Sequence, residues 1–476
     1  GVILVALGYA SYRLSGWLGC WFTLAFTLSS PYFLARVMGG LPRGFGLALL
    51  ACSLAALVHG RMRLLAVLTV LSAAFYAPGA VLGGLCLAVM TLLTPTTNHG
   101  DVASWSTRRR LLLVLVTMLG CIVVLVPTLL GSLTYGSTLG PADVATYPEL
   151  GPEGRYGPED RAPFDALPQA ILKMLPEAFR GREATWLPGT YDWVSIIPSN
   201  PSTMPLLQWT MLGLCLVICV GLVLQAYEDA AARRLLVLPI VASIVYLVAT
   251  PLAPTLYLPQ RYTAYTIPLL AVVGLPAACR RLANGVQGRN ARGWLSGMVV
   301  AGVCSATWLY TGGTGHRSAG LVHFPEGDAP IYQFVASTAP PTMFAAWPSE
   351  LANNIPYFGH RSILMNAEVH QVFHTRYADE MRARTYALID AYLATDIAPI
   401  HSLHRQYGIR YLVVDERHFT MGVPAYFEPY NERIRSALAN IRRNNGTSRV
   451  LQLTKSAAVF RDGPLVVLDL ERIGSP

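Results

Sequence analysis

Long stretches free of Asp, Glu, Lys and Arg constrain this chain more than any other feature. They cover residues 1–12, 17–35, 44–60, 64–81, 82–95, 111–131, 204–227, 235–252, 262–279 and 293–312. Several approach the roughly 20 residues that an α-helix needs to cross the hydrocarbon of a bilayer. The runs predict a polytopic α-helical transmembrane bundle of about 10 spans over residues 1–312, followed by a soluble α/β domain over residues 313–476. The runs at 64–81 and 82–95 meet at Pro78-Gly79 and read as a tight hairpin or one kinked element.

Only 13% of residues are charged, against about 25% in soluble domains. Up to residue 312 the charges cluster between apolar runs, and from residue 313 they spread evenly. The net charge of +9 would fit nucleic acid, but its arginines stand at the ends of apolar runs, as membrane topology demands. Alternating spans put Arg13, Arg61, Arg63, Arg108–Arg110, Arg233, Arg234, Arg280, Arg281, Arg289 and Arg292 on one side. The positive-inside rule makes that side cytoplasmic. The expectation is a multi-pass protein of the cell (inner) membrane, in contact with membrane lipid, with its C-terminal domain extracytoplasmic. The eight cysteines all lie in apolar runs, so a disulfide framework is not expected. Gly1 to Tyr12 is apolar without a basic start, which is unlike a signal peptide and suggests a chain beginning partway through a longer protein.

On the outward side lies a loop of residues 132–203, too long for a simple connector and a candidate lid. Its carboxylates, Glu149 and Asp192 among them, read singly as solvated side chains. The aromatic flanks in Tyr191-Asp192-Trp193 make Asp192 the most site-like. Arg36, Arg43 and Arg261 stand at outward ends of spans, and a guanidinium fork suits phosphate oxygens. Tyr262 and Tyr265 follow Arg261, where they would anchor at the interface or line a cavity. His370 and His374 are four apart on an expected helix over 369–393, but lack the Glu of a zinc-protease helix, so no metal site is assigned. The residues leave a divalent cation as an open question. Asn445-Gly446-Thr447 fits either a glycosylation acceptor or a turn. Spans nearly free of charge argue against a transporter.

Three stretches resemble the membrane glycosyltransferases of the GT-C class, in particular a bacterial group of GT-C-like proteins. They are Ser29-Ser-Pro-Tyr-Phe-Leu with Arg36-Val-Met-Gly-Gly-Leu-Pro-Arg43, Phe75-Tyr-Ala-Pro78, and Leu258-Pro-Gln-Arg-Tyr-Thr-Ala-Tyr265. Ile355-Pro-Tyr-Phe-Gly-His-Arg-Ser-Ile-Leu364 and Tyr407-Gly-Ile-Arg-Tyr-Leu-Val-Val-Asp415 extend the resemblance into the C-terminal domain. It implies transfer of a sugar from a polyprenyl-phosphate donor to a glycan or lipid acceptor, with inversion, on the outer membrane face. It also implies a catalytic carboxylate in a first outer loop, which would precede Gly1. Arg261, then Arg43 and Arg36, are the expected phosphate contacts, with Tyr262 and Asp192 near the substrate. The alternative is a non-catalytic membrane protein whose outer domain binds a glycan or partner in cell-envelope assembly.

Overall fold

A computed structural model describes residues 1–29, 33, 42–93, 100–151, 153–155, 204–252, 259–263, 265–284, 329–443 and 448–473. The run at 293–312, most of the 132–203 loop, Arg36, Asp192, Arg289, Arg292 and Asn445-Gly446-Thr447 lie outside them. The chain divides into two units, Gly1–Leu130 with Ala162–His323, and Gly131–Arg161 with Phe324–Pro476.

The described residues of the first unit are mainly helical. Helix Val2–Ser29 folds back at Gly16, whose φ of 74° belongs to the left-handed region that glycine enters without a steric penalty. A Cβ on Gly8 would lie 3.2 Å from Leu24, so the two arms run side by side. Helices Met62–Phe75 and Ala77–Ala88 form a second hairpin joined by Tyr76 alone. Gly83 faces Thr69 and Gly79 faces Ser72 across it. The break expected at Pro78-Gly79 therefore falls at Tyr76, because Pro78 sits in the first turn of the next helix, where a missing N–H costs nothing.

Among the described residues, two helices are long and apolar enough to cross a membrane, Thr107–Tyr135 and Ala230–Leu252. Three more apolar helices, Gly44–His59, Met62–Phe75 and Ala77–Leu93, are shorter, and helix Met204–Glu228 has 25 residues. At 1.5 Å per residue, the 14 residues of Met62–Phe75 reach only about 21 Å. About ten spans were expected; among the described residues two helices combine the length and the apolar character of a span. Helix Thr107–Ser132 leaves Leu112, Val116, Leu119, Val123 and Leu130 exposed, an apolar surface that water would not favour.

Charge is segregated in this unit. Arg13 pairs with Asp229 at 3.0 Å, Arg63 with Asp101 at 3.6 Å and Arg281 with Glu228 at 2.7 Å. Arg280 donates to the Leu14 carbonyl. Buried Arg234 donates to the carbonyls of Leu57 and Val58, satisfying the last turn of helix Pro42–His59. These contacts gather Arg13, Arg63, Arg234, Arg280 and Arg281 at one end of the helices, the grouping that alternating spans require.

The second unit is built on a five-stranded sheet with the order β2-β1-β3-β5-β4. The strands are β1 (Met343–Ala346), β2 (Ser362–Ile363), β3 (Ile409–Asp415), β4 (Ala458–Asp462) and β5 (Leu465–Asp469). β2, β1 and β3 run parallel, and β5 and β4 complete the sheet antiparallel. The strand alternation separates two cores. Ala345, Leu412, Val414 and Leu468 meet helices Thr375–Tyr392, Ala398–Tyr407 and Tyr430–Arg443 on one face. Phe344, Tyr411, Val413 and Val467 meet Pro330–Ser337 and Glu350–Phe358 on the other.

The helix expected over 369–393 begins only at Thr375. Residues before it are held extended by the 132–203 loop: Leu139 N donates to Phe373 O and Thr375 N to Ser137 O, both at 2.9 Å. His370 and His374 therefore do not share a helix face, and the basis for pairing them as metal ligands is lost.

Candidate functional site

Opposite the arginine-rich end, the helices bring together two stretches far apart in sequence. The Tyr76 hydroxyl donates to the Arg261 carbonyl at 3.0 Å, and the Tyr76 and Tyr265 rings lie 5.1 Å apart. Gly46 backs this ring closely enough that a Cβ there would come within 2.6 Å of it. The Phe45 and Phe75 rings meet at a tilt, with centroids 5.0 Å apart. Phe75-Tyr-Ala-Pro78 and the segment ending at Tyr265 thus form one structure.

Arg261 occupies a short 3-10 helix, Pro259–Tyr262, just ahead of helix Thr266–Asn284. A partly exposed guanidinium and the positive end of a helix dipole share one end of the unit, a combination favourable to an anion. Tyr262 and Tyr265 are buried, at 6% and 1% exposure, so they support the segment that carries Arg261 rather than present a surface. Thr266 reinforces it by donating to the Tyr262 carbonyl. Arg43 lies in the first turn of helix Pro42–His59, one turn before Gly46, which places its backbone at the same end as Tyr76. Arg36 and Asp192 fall outside the described residues.

Sequence reasoning missed a second polar centre, inside the other unit. Glu149, read as a solvated loop carboxylate, is only 1% exposed. Arg382 grips it with two bonds of 2.7 and 2.6 Å, and Tyr430 donates to it at 3.0 Å. A tyrosine has one proton to give, so the Tyr430 oxygen must accept from His370 Nε2–H, 3.3 Å away. His370 Nδ1 then accepts from the Tyr426 hydroxyl at 3.1 Å. Burial first, then the neighbouring Arg155 and Arg382 charges, push the His370 pKa down to about 3. The Glu149 bonds push the Arg382 guanidinium further toward its charged form. The centre fastens the first part of the loop onto the C-terminal domain, aided by Arg155 on the Ala367 carbonyl. Nothing local in the sequence signals it, since the partners are 233 residues apart.

No protein-family model matches this chain, and no curated protein matches it. Among solved structures, the apo oligosaccharyltransferase of Archaeoglobus fulgidus is similar at 10% sequence identity and a TM-score of 0.46, over 88% of this chain and 57% of that one. The archaeal oligosaccharyltransferase AglB from Archaeoglobus fulgidus, in complex with an inhibitory peptide and a dolichol-phosphate, gives 10% and 0.44, over 87% and 57%. The chain spans a little over half the length of the solved structures it matches.

Proposed function

We propose that this chain is a membrane protein of GT-C-like glycosyl transfer, meeting a polyprenyl-phosphate sugar donor at the helix ends around Arg261. The observation that carries this reading is the Tyr76–Arg261 hydrogen bond, which joins two of the stretches on which the sequence resemblance rests. The exposed apolar surface of helix Thr107–Ser132 supports a lipid setting, and the gathered arginines support a cytoplasmic location for the opposite end. In this reading an acceptor hydroxyl oxygen bonds to the anomeric carbon and gives its proton to a base, as the bond between that carbon and the phosphate oxygen breaks. The polyprenyl phosphate leaves with the charge, and Arg261, with Arg43 and Arg36 as the next candidates, stabilises that charge.

The test is binding of a short-chain polyprenyl phosphate to the protein in liposomes, comparing the wild type with Arg261→Ala. Loss of charge-assisted hydrogen bonds is expected to weaken binding about 10- to 100-fold with helix content unchanged. Equal binding by the two proteins would sink the assignment.

A further inference from the structure

The connections of the sheet diverge at β1. The chain leaves β1 through helix Glu350–Phe358 on one face to reach β2, then crosses the other face through Thr375–Tyr392 and Ala398–Tyr407 to reach β3, on the opposite side of β1. Where successive connections part in this way, an open sheet leaves a crevice at the carboxyl ends of its strands, the usual position of a ligand. Here a cavity of about 270 Å³ lies in that position, with Trp347, Ser349, Tyr392, Asp415, Arg417 and His418 in its lining.

The hydrogen bonds around the cavity leave donors over. The Asp415 amide donates to the Tyr392 oxygen at 2.9 Å, and the Tyr392 hydroxyl in turn donates to His418 Nδ1 at 2.9 Å. This assignment puts the His418 proton on Nε2, which stands 3.9 Å from Asp415, beyond hydrogen-bond range. The Trp347 indole N–H is buried with no acceptor, in a residue 3% exposed, and the Ser349 hydroxyl makes no capping bond. A buried donor left unpaired costs free energy that a ligand oxygen would recover. Charge is balanced: Arg417 holds Asp415 through Nε and Nη2 at 3.0 and 2.7 Å. The site therefore has no surplus cation for an anionic ligand.

We propose that this cavity binds one neutral sugar unit of a glycan. Trp347 Nε1–H, His418 Nε2–H and Ser349 donate to its oxygens, and the Asp415–Arg417 pair meets adjacent hydroxyls. The inference does not rest on the lipid-phosphate reading, and its failure would leave that reading untouched.

The experiment uses the full chain in a detergent without a sugar headgroup. Saturation-transfer NMR is recorded with chitobiose, maltose and mannobiose, beside inorganic phosphate and a blocked neutral dipeptide. Saturable transfer to at least one disaccharide is expected. Trp347→Phe, which keeps an aromatic ring but removes the N–H, and Ser349→Ala at the rim are each expected to weaken it about five-fold, the loss of one hydrogen bond. Absence of transfer to every disaccharide, or equal binding by both variants, would overturn the site. Stronger transfer to phosphate or the dipeptide would overturn the ligand class.

Discussion

The Glu149 centre and the cavity at the ends of β1 and β3 lie in one unit and use the same residue types, an acid, an arginine, a histidine and tyrosines. They differ in how their hydrogen bonds close. Around Glu149 the chain from Tyr426 through His370 and Tyr430 ends on a carboxylate that Arg382 also grips. Around Trp347 the corresponding chain ends on His418, and an indole N–H is left over. A closed polar network fixes a fold, whereas an open one of similar composition holds places for something else.

That contrast can be broken most sharply at Glu149. Glu149→Gln keeps the shape but takes the buried carboxylate away from the half-buried Arg382 guanidinium, and is expected to destabilise the unit by about 3–5 kcal/mol, read from hydrogen exchange of the β3 and β5 amides. An effect near zero would mean that the network contributes nothing to the fold. Next in size is pH. His370 binds its proton less readily folded than unfolded, so its contribution is complete above about pH 6.5 and is lost as pH falls toward about 3. The slope is about 1.4 kcal/mol per pH unit. The difference in urea midpoint between the wild type and His370→Gln should shrink as pH falls across that window, and parallel curves would contradict the neutral-histidine assignment. The smallest effect belongs to Trp347→Phe, expected to cost only about 1–2 kcal/mol through lost packing, because no hydrogen bond is broken. A loss as large as that of Glu149→Gln would show that the cavity is structural after all.

Much of this arrangement was legible in the sequence because it depends on local pattern. The grouping of Arg13, Arg63, Arg234, Arg280 and Arg281 followed from alternating runs, and the β4–β5 hairpin turns at Asp462-Gly463, a local turn signal. Gly408, with a φ of 65°, ends its helix in the left-handed conformation that glycine enters without strain, a local stop signal. What was not legible depends on partners distant in sequence. The early start assigned to the helix at Thr375 ignored the pull of Leu139 and Ser137 on the residues before it. The short helices Pro330–Ser337 and Glu350–Phe358 escaped notice, the second with Pro356 inside it. Of the expected phosphate-binding set, Arg261 and the backbone of Arg43 fall at one end of the helices. Tyr262 is buried instead of presented, because the tyrosines there fill space between helices. The crevice beside Trp347 arises from strand order, which no local motif encodes.

The clamp on Glu149 also bears on how the protein is made. The residues that complete the C-terminal domain leave the ribosome in two instalments, with helices Met204–Glu228, Ala230–Ala249 and Thr266–Asn284 of the other unit synthesised between them. The segment around Glu149 must wait, unpaired, until Arg382 and Tyr430 have been translated, and a contact that spans 233 residues closes late and slowly. A fragment beginning near residue 324 would lack the carboxylate its arginine is shaped around, so attempts to isolate the domain should carry residues 131–155 with it.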